Sequence, residues 1–206
     1  MIWNEKNYRR YVGSKENYDI IGAYQFVVLF QLGLREKHTL LDIGCGSLRS
    51  GKFFIQYLLP GNYFGVEPNN WLIRDSIDKE IGRDIVNIKY PLFSYNDKFD
   101  FSDFKKNNFD YVLAHSIFSH APMEQINICI ENVSKVLSKT GIFIFTFCNG
   151  KINNIKKEWI YPGKVRYTLA FIKKMLNKYG LVGYKLNYHS PTNQTWIKAE
   201  RIKNVK

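Results

Sequence analysis

Cysteine is scarce in this sequence and nowhere paired. Cys45, Cys129 and Cys148 are scattered with no C-x-x-C. That excludes a disulfide framework or a cysteine-based zinc site, and it points to a reducing, cytoplasmic setting. His38, His115, His120 and His189 show no H-x-x-x-H spacing, so no metal site is expected. Long apolar runs are also missing. None approaches the roughly 18 residues that suggest a membrane span, and the longest is interrupted by Gln25 and Gln31. The N-terminal MIWNEKNYRRYVGSKENY has no apolar core of a signal peptide, so secretion is not expected. Acidic residues almost vanish near the C-terminus: residues 151–206 carry 13 Lys/Arg against 2 Asp/Glu, whereas residues 1–150 carry 17 against 16. A surface of that kind suits an anion: nucleic acid, a phosphorylated substrate or an acidic membrane.

What the chain does have is a strand, a glycine turn and a helical pattern in Thr39–Leu59, TLLDIGCGSLRSGKFFIQYLL. The apolar run Leu40–Ile43 ends in Gly44-Cys45-Gly46, and the helical pattern is expected directly from Ser47. That layout turns bare backbone N–H groups toward a ligand. Asp42, just before the turn, would repel a pyrophosphate and attract a cation or hydroxyls. A second apolar run, Tyr63–Val66, ends in Glu67, 25 positions after Asp42, which suits a ribose diol. A dinucleotide-binding turn needs G-x-G-x-x-G, and its third glycine position holds Arg49.

DIGCGxxRxG with an acid-ended second strand resembles motifs I and II of the class I S-adenosylmethionine (SAM) methyltransferases. One departure stands out: Leu48 occupies the third glycine position of D/E-x-G-x-G-x-G. The resemblance implies SAM as cofactor, with Asp42, Gly44, Cys45, Gly46 and Arg49 around its amino-acid end and Glu67-Pro68 at the ribose. It also implies the family fold: a Rossmann-like α/β architecture with a seven-stranded, mostly parallel sheet, an antiparallel C-terminal strand and helices on both faces. The alternation of strand and helix patterns along the chain independently supports a mostly parallel sheet.

One domain is expected over 1–206, with a polar, basic N-terminal arm at 1–16 that includes Trp3, Tyr8 and Tyr11 and could act as a lid. Asn17 to Leu32 reads as a helix apolar almost all round, hence buried on most sides. The resemblance makes Tyr24 and Gln25 pocket candidates. Residues 85–89 read as strand three. In the long segment 90–108 the family places an acid and an apolar side chain at the adenine: Asp100-Phe101 first, Asp97 and Phe99 as alternatives. Phe109–Ala114 is strand four, resembling motif IV. Pro122 suits a helix start, and Met123, Ile126, Ile130, Val133 and Leu137 form an amphipathic stripe closed by Gly141, followed by strand 142–147. Thr168 caps a last helix, and 181–188 and 194–202 read as the closing strands.

HSIFSH (115–120) leaves strand four at the sheet edge where ligands bind. His115 is assigned to SAM and, with His189, stands next in line after His120 as catalytic base. His120, nearer the next helix, is assigned as the base that takes a proton from an acceptor hydroxyl, a role histidine suits near neutral pH. Residues 148–167 form an aperiodic stretch where such enzymes often build an acceptor pocket. Trp159, Tyr161, Lys164 and Arg166 are its candidates, with Lys156 and Lys157 as further phosphate contacts and His189 at the acceptor side. IIGAYQF, LLDIGCGSLRSG, YFGVEPN, AHSIFSH and a late P-x-x-QTW resemble methyltransferases encoded with bacterial surface-polysaccharide genes. On that resemblance the acceptor is a sugar or sugar-linked group on an anionic small molecule: a nucleotide-sugar, a phosphorylated sugar or a lipid-linked glycan. Two alternatives stay open: a methyltransferase acting on RNA or other nucleic acid, and a non-catalytic partner protein of the same fold.

Overall fold

A computed structural model describes residues 7–203. Trp3 lies outside the described residues. Seven strands form one sheet in the order β3-β2-β1-β4-β5-β7-β6. They are β1 (Leu40–Ile43), β2 (Tyr63–Val66), β3 (Leu92–Ser94), β4 (Phe109–Ala114), β5 (Leu137–Phe147), β6 (Leu181–Lys185) and β7 (Thr195–Arg201). β7 runs antiparallel to both β5 and β6, and all other pairings are parallel.

Successive residues of a strand point to opposite faces, and the core divides accordingly. Leu41, Ile43, Val112, Phe143 and Phe145 pack on one face with Ile126, Ile130 and Val133 of α6 (Met123–Val136) and Ile172 and Leu176 of α7 (Leu169–Lys178). Leu40, Tyr63, Leu113 and Ile144 pack on the other with Val28 and Leu29 of α2 (Tyr18–Gln31), Phe54 of α3 (Gly51–Tyr57) and Ile73 of α4 (Asn70–Ser76). The Thr168 hydroxyl caps α7 by accepting from the Phe171 N–H. A short α1 (Tyr8–Tyr11) lies against α4, and α5 (Arg83–Lys89) follows a π-helical turn at Ile77–Ile81. Among the described residues no helix is long and apolar enough to cross a membrane.

Four expectations are corrected. Residues 85–89 form α5, not strand three. Their apolar positions fit either period, and the actual β3 is a three-residue edge strand with Leu92 largely exposed, too short to announce itself. The helix after the glycine turn starts at Gly51, because Leu48 has φ of +52° and cannot continue a right-handed helix from Ser47. The amphipathic helix ends at Val136. Leu137 already pairs with Phe109 of β4, so Gly141 lies inside β5 instead of capping the helix. Finally, α2 is not buried on most sides: Ile21, Val28 and Leu29 face the core, while Ile20, Val27 and Phe30 are exposed.

Candidate active site

A cavity of about 780 Å³ opens beyond the C-terminal ends of β1, β2 and β4. This is the edge where parallel strands of an open sheet present their loops to a ligand. The loops after β1, β2, β3 and β4 line it, and Tyr11 and Val12 of the N-terminal arm and Trp159 and Tyr161 of the late loop add to its walls.

The β1 turn is built to approach a ligand closely. Gly44 has φ of +67°, a left-handed backbone that favours glycine, and the end of the Ile117 side chain packs against its Cα. The N–H groups of Gly44 and Cys45 both donate to the Val66 carbonyl, at 2.8 and 3.0 Å, which ties the turn to the end of β2. Tyr18 of α2 donates to the Ser47 carbonyl at 2.6 Å, and Ser76 of α4 donates to the same oxygen. Gly22 lets α2 lie directly on the turn, since a Cβ there would overlap the Arg49 carbonyl at 2.2 Å. Leu48, in the third glycine position, keeps a left-handed backbone and sends its side chain into the core, fully buried.

Three charged side chains converge on this turn. Glu67 is buried and accepts from the Gly46 N–H at 3.2 Å and from the Asn69 N–H and amide at 2.9 and 2.8 Å. Burial raises its pKa against the lowering effect of those donors. Arg49 is buried and donates to the Val12 carbonyl at 3.1 Å, with no carboxylate paired to it among the described residues. Burial lowers its pKa to about 10. Asp42 accepts from the Tyr63 hydroxyl at 2.8 Å. Burial is the largest influence on its carboxyl and pushes the pKa up to about 7, although Tyr63 and Arg49 act in the other direction.

The Asp42 shift has a measurable sign. A carboxyl that keeps its proton to about pH 7 when folded, against 3.8 ordinarily, adds stability at acid pH that is lost as pH rises through about 7. The melting temperature of the ligand-free protein should therefore fall more steeply between about pH 5 and about pH 7.5 than that of Asp42→Asn. Equal slopes would exclude Asp42 as the titrating group.

The HSIFSH segment is braced by the last strand. Ser116 has φ of +61°, and its N–H donates to Thr146 Oγ1 at 2.8 Å. Thr146 in turn donates to Gln194 Oε1 at 2.7 Å, and Gln194 Nε2 donates to Ser116 Oγ at 2.7 Å. Trp196 is fully buried with its ring 5.2 Å from that of His115. The QTW run thus fixes the loop after β4. His115 is buried, and burial with the nearby Arg49 charge holds its pKa well below the usual value, so the ring is neutral.

His120 Nδ1 lies 3.1 Å from the Ile160 carbonyl and 2.6 Å from the Gly163 carbonyl. Carbonyls only accept, so Nδ1 carries the hydrogen, and in the neutral ring Nε2 holds the free lone pair. The Ile160 and Val165 N–H groups donate back to the His120 and Ser119 carbonyls, at 3.0 and 2.8 Å. Tyr161 stands edge-on to His120 with ring centres 5.0 Å apart.

Of the residues singled out from sequence, Asp42, Gly44, Cys45, Gly46, Arg49, Glu67, Pro68, His115, His120, Trp159 and Tyr161 line this one cavity. Others lie elsewhere. Asp100 is exposed and accepts from the Ser102 N–H, and Phe101 is buried in the core, so the loop after β3 presents Asp97 and Phe99 to the cavity instead. Tyr24 packs near Trp196 outside the cavity, whereas its neighbour Gln25 lines it. His189 is exposed and away from the cavity. Lys164 and Arg166 are exposed and donate to the Thr192 and Asn149 carbonyls; like Lys156 and Lys157, they are not part of the lining.

Gln125 and Gln194 carry no role in the sequence reading, whereas Tyr11 and Val12 belong to the arm expected as a lid. Gln125 lines the cavity, Gln194 braces the loop after β4, and Tyr11 and Val12 bring the arm to the cavity wall. The Tyr11 ring sits between Trp71, at 5.4 Å, and Tyr161, at 5.8 Å, and its carbonyl accepts from the Tyr161 hydroxyl. Arg9 and Tyr8 anchor the arm on Glu80. Aromatic spacing at 8–11 was the only signal for this.

The strand order, the single antiparallel β7 and a cavity on this glycine turn define the class I methyltransferase fold. The family described as "Methyltransferase domain" matches residues 41–143. The chain belongs to that methyltransferase family, and SAM is its cofactor. Solved structures of like fold include magnesium protoporphyrin IX methyltransferase from Synechocystis PCC 6803 with bound SAM, at 15% identity, covering 94% of this chain and 88% of that one with a TM-score of 0.68. A glycopeptide N-methyltransferase complexed with S-adenosylhomocysteine matches at 12% identity, over 90% of each chain, with a TM-score of 0.67. An O-methyltransferase family protein from Burkholderia thailandensis matches at 12% identity, over 93% of this chain and 61% of that one, with a TM-score of 0.61. No curated protein sequence matches this chain.

The cavity suits such a cofactor on its own evidence. His115 Nδ1 and Gln125 Oε1 are buried without partners and belong to lining residues. Arg49, with no carboxylate paired to it among the described residues, adds a cationic contact.

Proposed function

We propose that the protein methylates a hydroxyl of a sugar or sugar-linked group on a small anionic precursor of a bacterial surface glycan, in the cytoplasm. SAM bound in the cavity supplies an electrophilic methyl group on a sulfonium. Glu67 would hold its ribose hydroxyls, Arg49 its carboxylate and Asp42 its ammonium, with Asp97 and Phe99 at the adenine. The observation that carries an O-linked acceptor is His120. Both partners of Nδ1 are carbonyls, which leaves Nε2 as a base for a hydroxyl proton, on a residue that lines the cavity. Trp159 and Tyr161 offer aromatic faces beside it, against which the apolar face of a sugar ring can pack. The anionic part of the precursor would stay outside the cavity, whose lining holds Arg49 and Lys98 as its cationic side chains.

A turnover assay with SAM and pooled nucleotide-sugars and phosphorylated sugars tests this by the mass gain of one methyl group. Product from the sugar pool, lost in Trp159→Ala through a raised KM, is the expected result. Turnover of structured RNA with none of the sugars would transfer the protein to the nucleic-acid reading. A folded protein that does not bind SAM in a calorimetric titration would instead be a non-catalytic partner.

A further inference from the structure

The late loop breaks the usual rule that apolar side chains turn inward. Ile152 and Ile155 are 80% and 86% exposed, and Trp159 is 45% exposed. The polar residues between the isoleucines turn in and hold the loop. Asn153 accepts from the Thr168 N–H at 2.8 Å. Asn154 donates through its backbone to the Arg166 carbonyl at 2.9 Å and through its amide to the Tyr167 hydroxyl at 3.2 Å. The isoleucines are therefore displayed by an anchored backbone.

Lys151, Lys156 and Lys157 are exposed among them, with Glu158 the one acid of the stretch. Exposed aliphatic side chains among lysines match the interface of an anionic bilayer, where lysine meets headgroup phosphate and isoleucine enters the acyl boundary. RNA would use the lysines but has no use for branched aliphatic groups, since bases stack on flat rings. The patch runs to the cavity, which Trp159 also lines.

We propose that residues 151–159 are a docking surface for an anionic phospholipid bilayer, which sets the mouth of the cavity at the membrane. The proposal is independent of which acceptor is methylated. Flotation of the whole protein with vesicles of phosphatidylcholine alone, or mixed with phosphatidylglycerol, tests it, and SAM titration on the same preparations checks the fold and the cofactor site separately. Wild-type protein should float with the anionic vesicles at low salt and much less with phosphatidylcholine alone. The double variant Ile152→Ser, Ile155→Ser should lose about tenfold or more in partitioning with SAM affinity unchanged. Lys156→Gln with Lys157→Gln should lose several-fold, and added salt should mimic that loss. Failure of the wild type to float with anionic vesicles overturns the proposal, as does equal flotation of the isoleucine variant. Retention of structured RNA at about 0.1 M salt without vesicle flotation overturns it in favour of a nucleic-acid surface.

Discussion

Replacing His120 by alanine is expected to lower kcat by about 10²–10⁴-fold while leaving SAM affinity nearly unchanged. Methyl transfer is an in-line displacement, and the protein's largest contribution to it is alignment. A neutral alcohol is a poor nucleophile, so a base that takes its proton as the new bond forms adds a factor of this size. His120 is oriented by the Ile160 and Gly163 carbonyls, so its Nε2 is aimed without a carboxylate partner. A single-turnover measurement separates this loss from slow product release. Full activity in the alanine variant would move the base to His115, the other histidine lining the cavity.

Glu67→Ala is expected to weaken SAM by at least about tenfold, since each ribose hydroxyl bound by a carboxylate contributes about 1.5–3 kcal/mol. The same carboxylate accepts from Gly46 and Asn69, so its removal also loosens the turn. Glu67→Gln helps to separate the two effects, because its single amide oxygen can keep the Asn69 contacts while the charge that strengthens the ribose contacts is gone. Calorimetric titration beside a thermal melt reads both. SAM affinity unchanged in a folded Glu67→Ala protein would sink the ribose assignment.

The residues legible in the sequence were those whose chemistry and spacing are tied to backbone geometry. The glycine turn, Glu67 at the end of β2 and the histidines after β4 all sit where strands end, and strand ends show in the hydropathy pattern. The resemblance puts Asp100-Phe101 first at the adenine, whereas Asp97 and Phe99 line the cavity. Which of the residues in 97–101 reach it depends on Phe99 adopting a φ of +55°, a twist without a pattern. α5 was read as a strand because five residues do not fix a period. The Thr146–Gln194–Ser116 bracing joins positions up to 78 residues apart, and distance in sequence hides such partnerships. Lys164 and Arg166 looked like phosphate ligands by charge alone, yet both are engaged with carbonyls of their own chain.

Leu48 shows what the family's glycine-rich signature encodes. A left-handed leucine costs about 1–2 kcal/mol, and sinking its side chain into the core returns about as much or more. The turn therefore keeps its path because the substituent leaves on the side away from the ligand. At Gly22, where α2 lies on the same turn, no such escape exists, since a Cβ would overlap the Arg49 backbone carbonyl. A side chain is thus tolerated at a position of this turn set only by a dihedral angle, and not where one backbone lies directly on another.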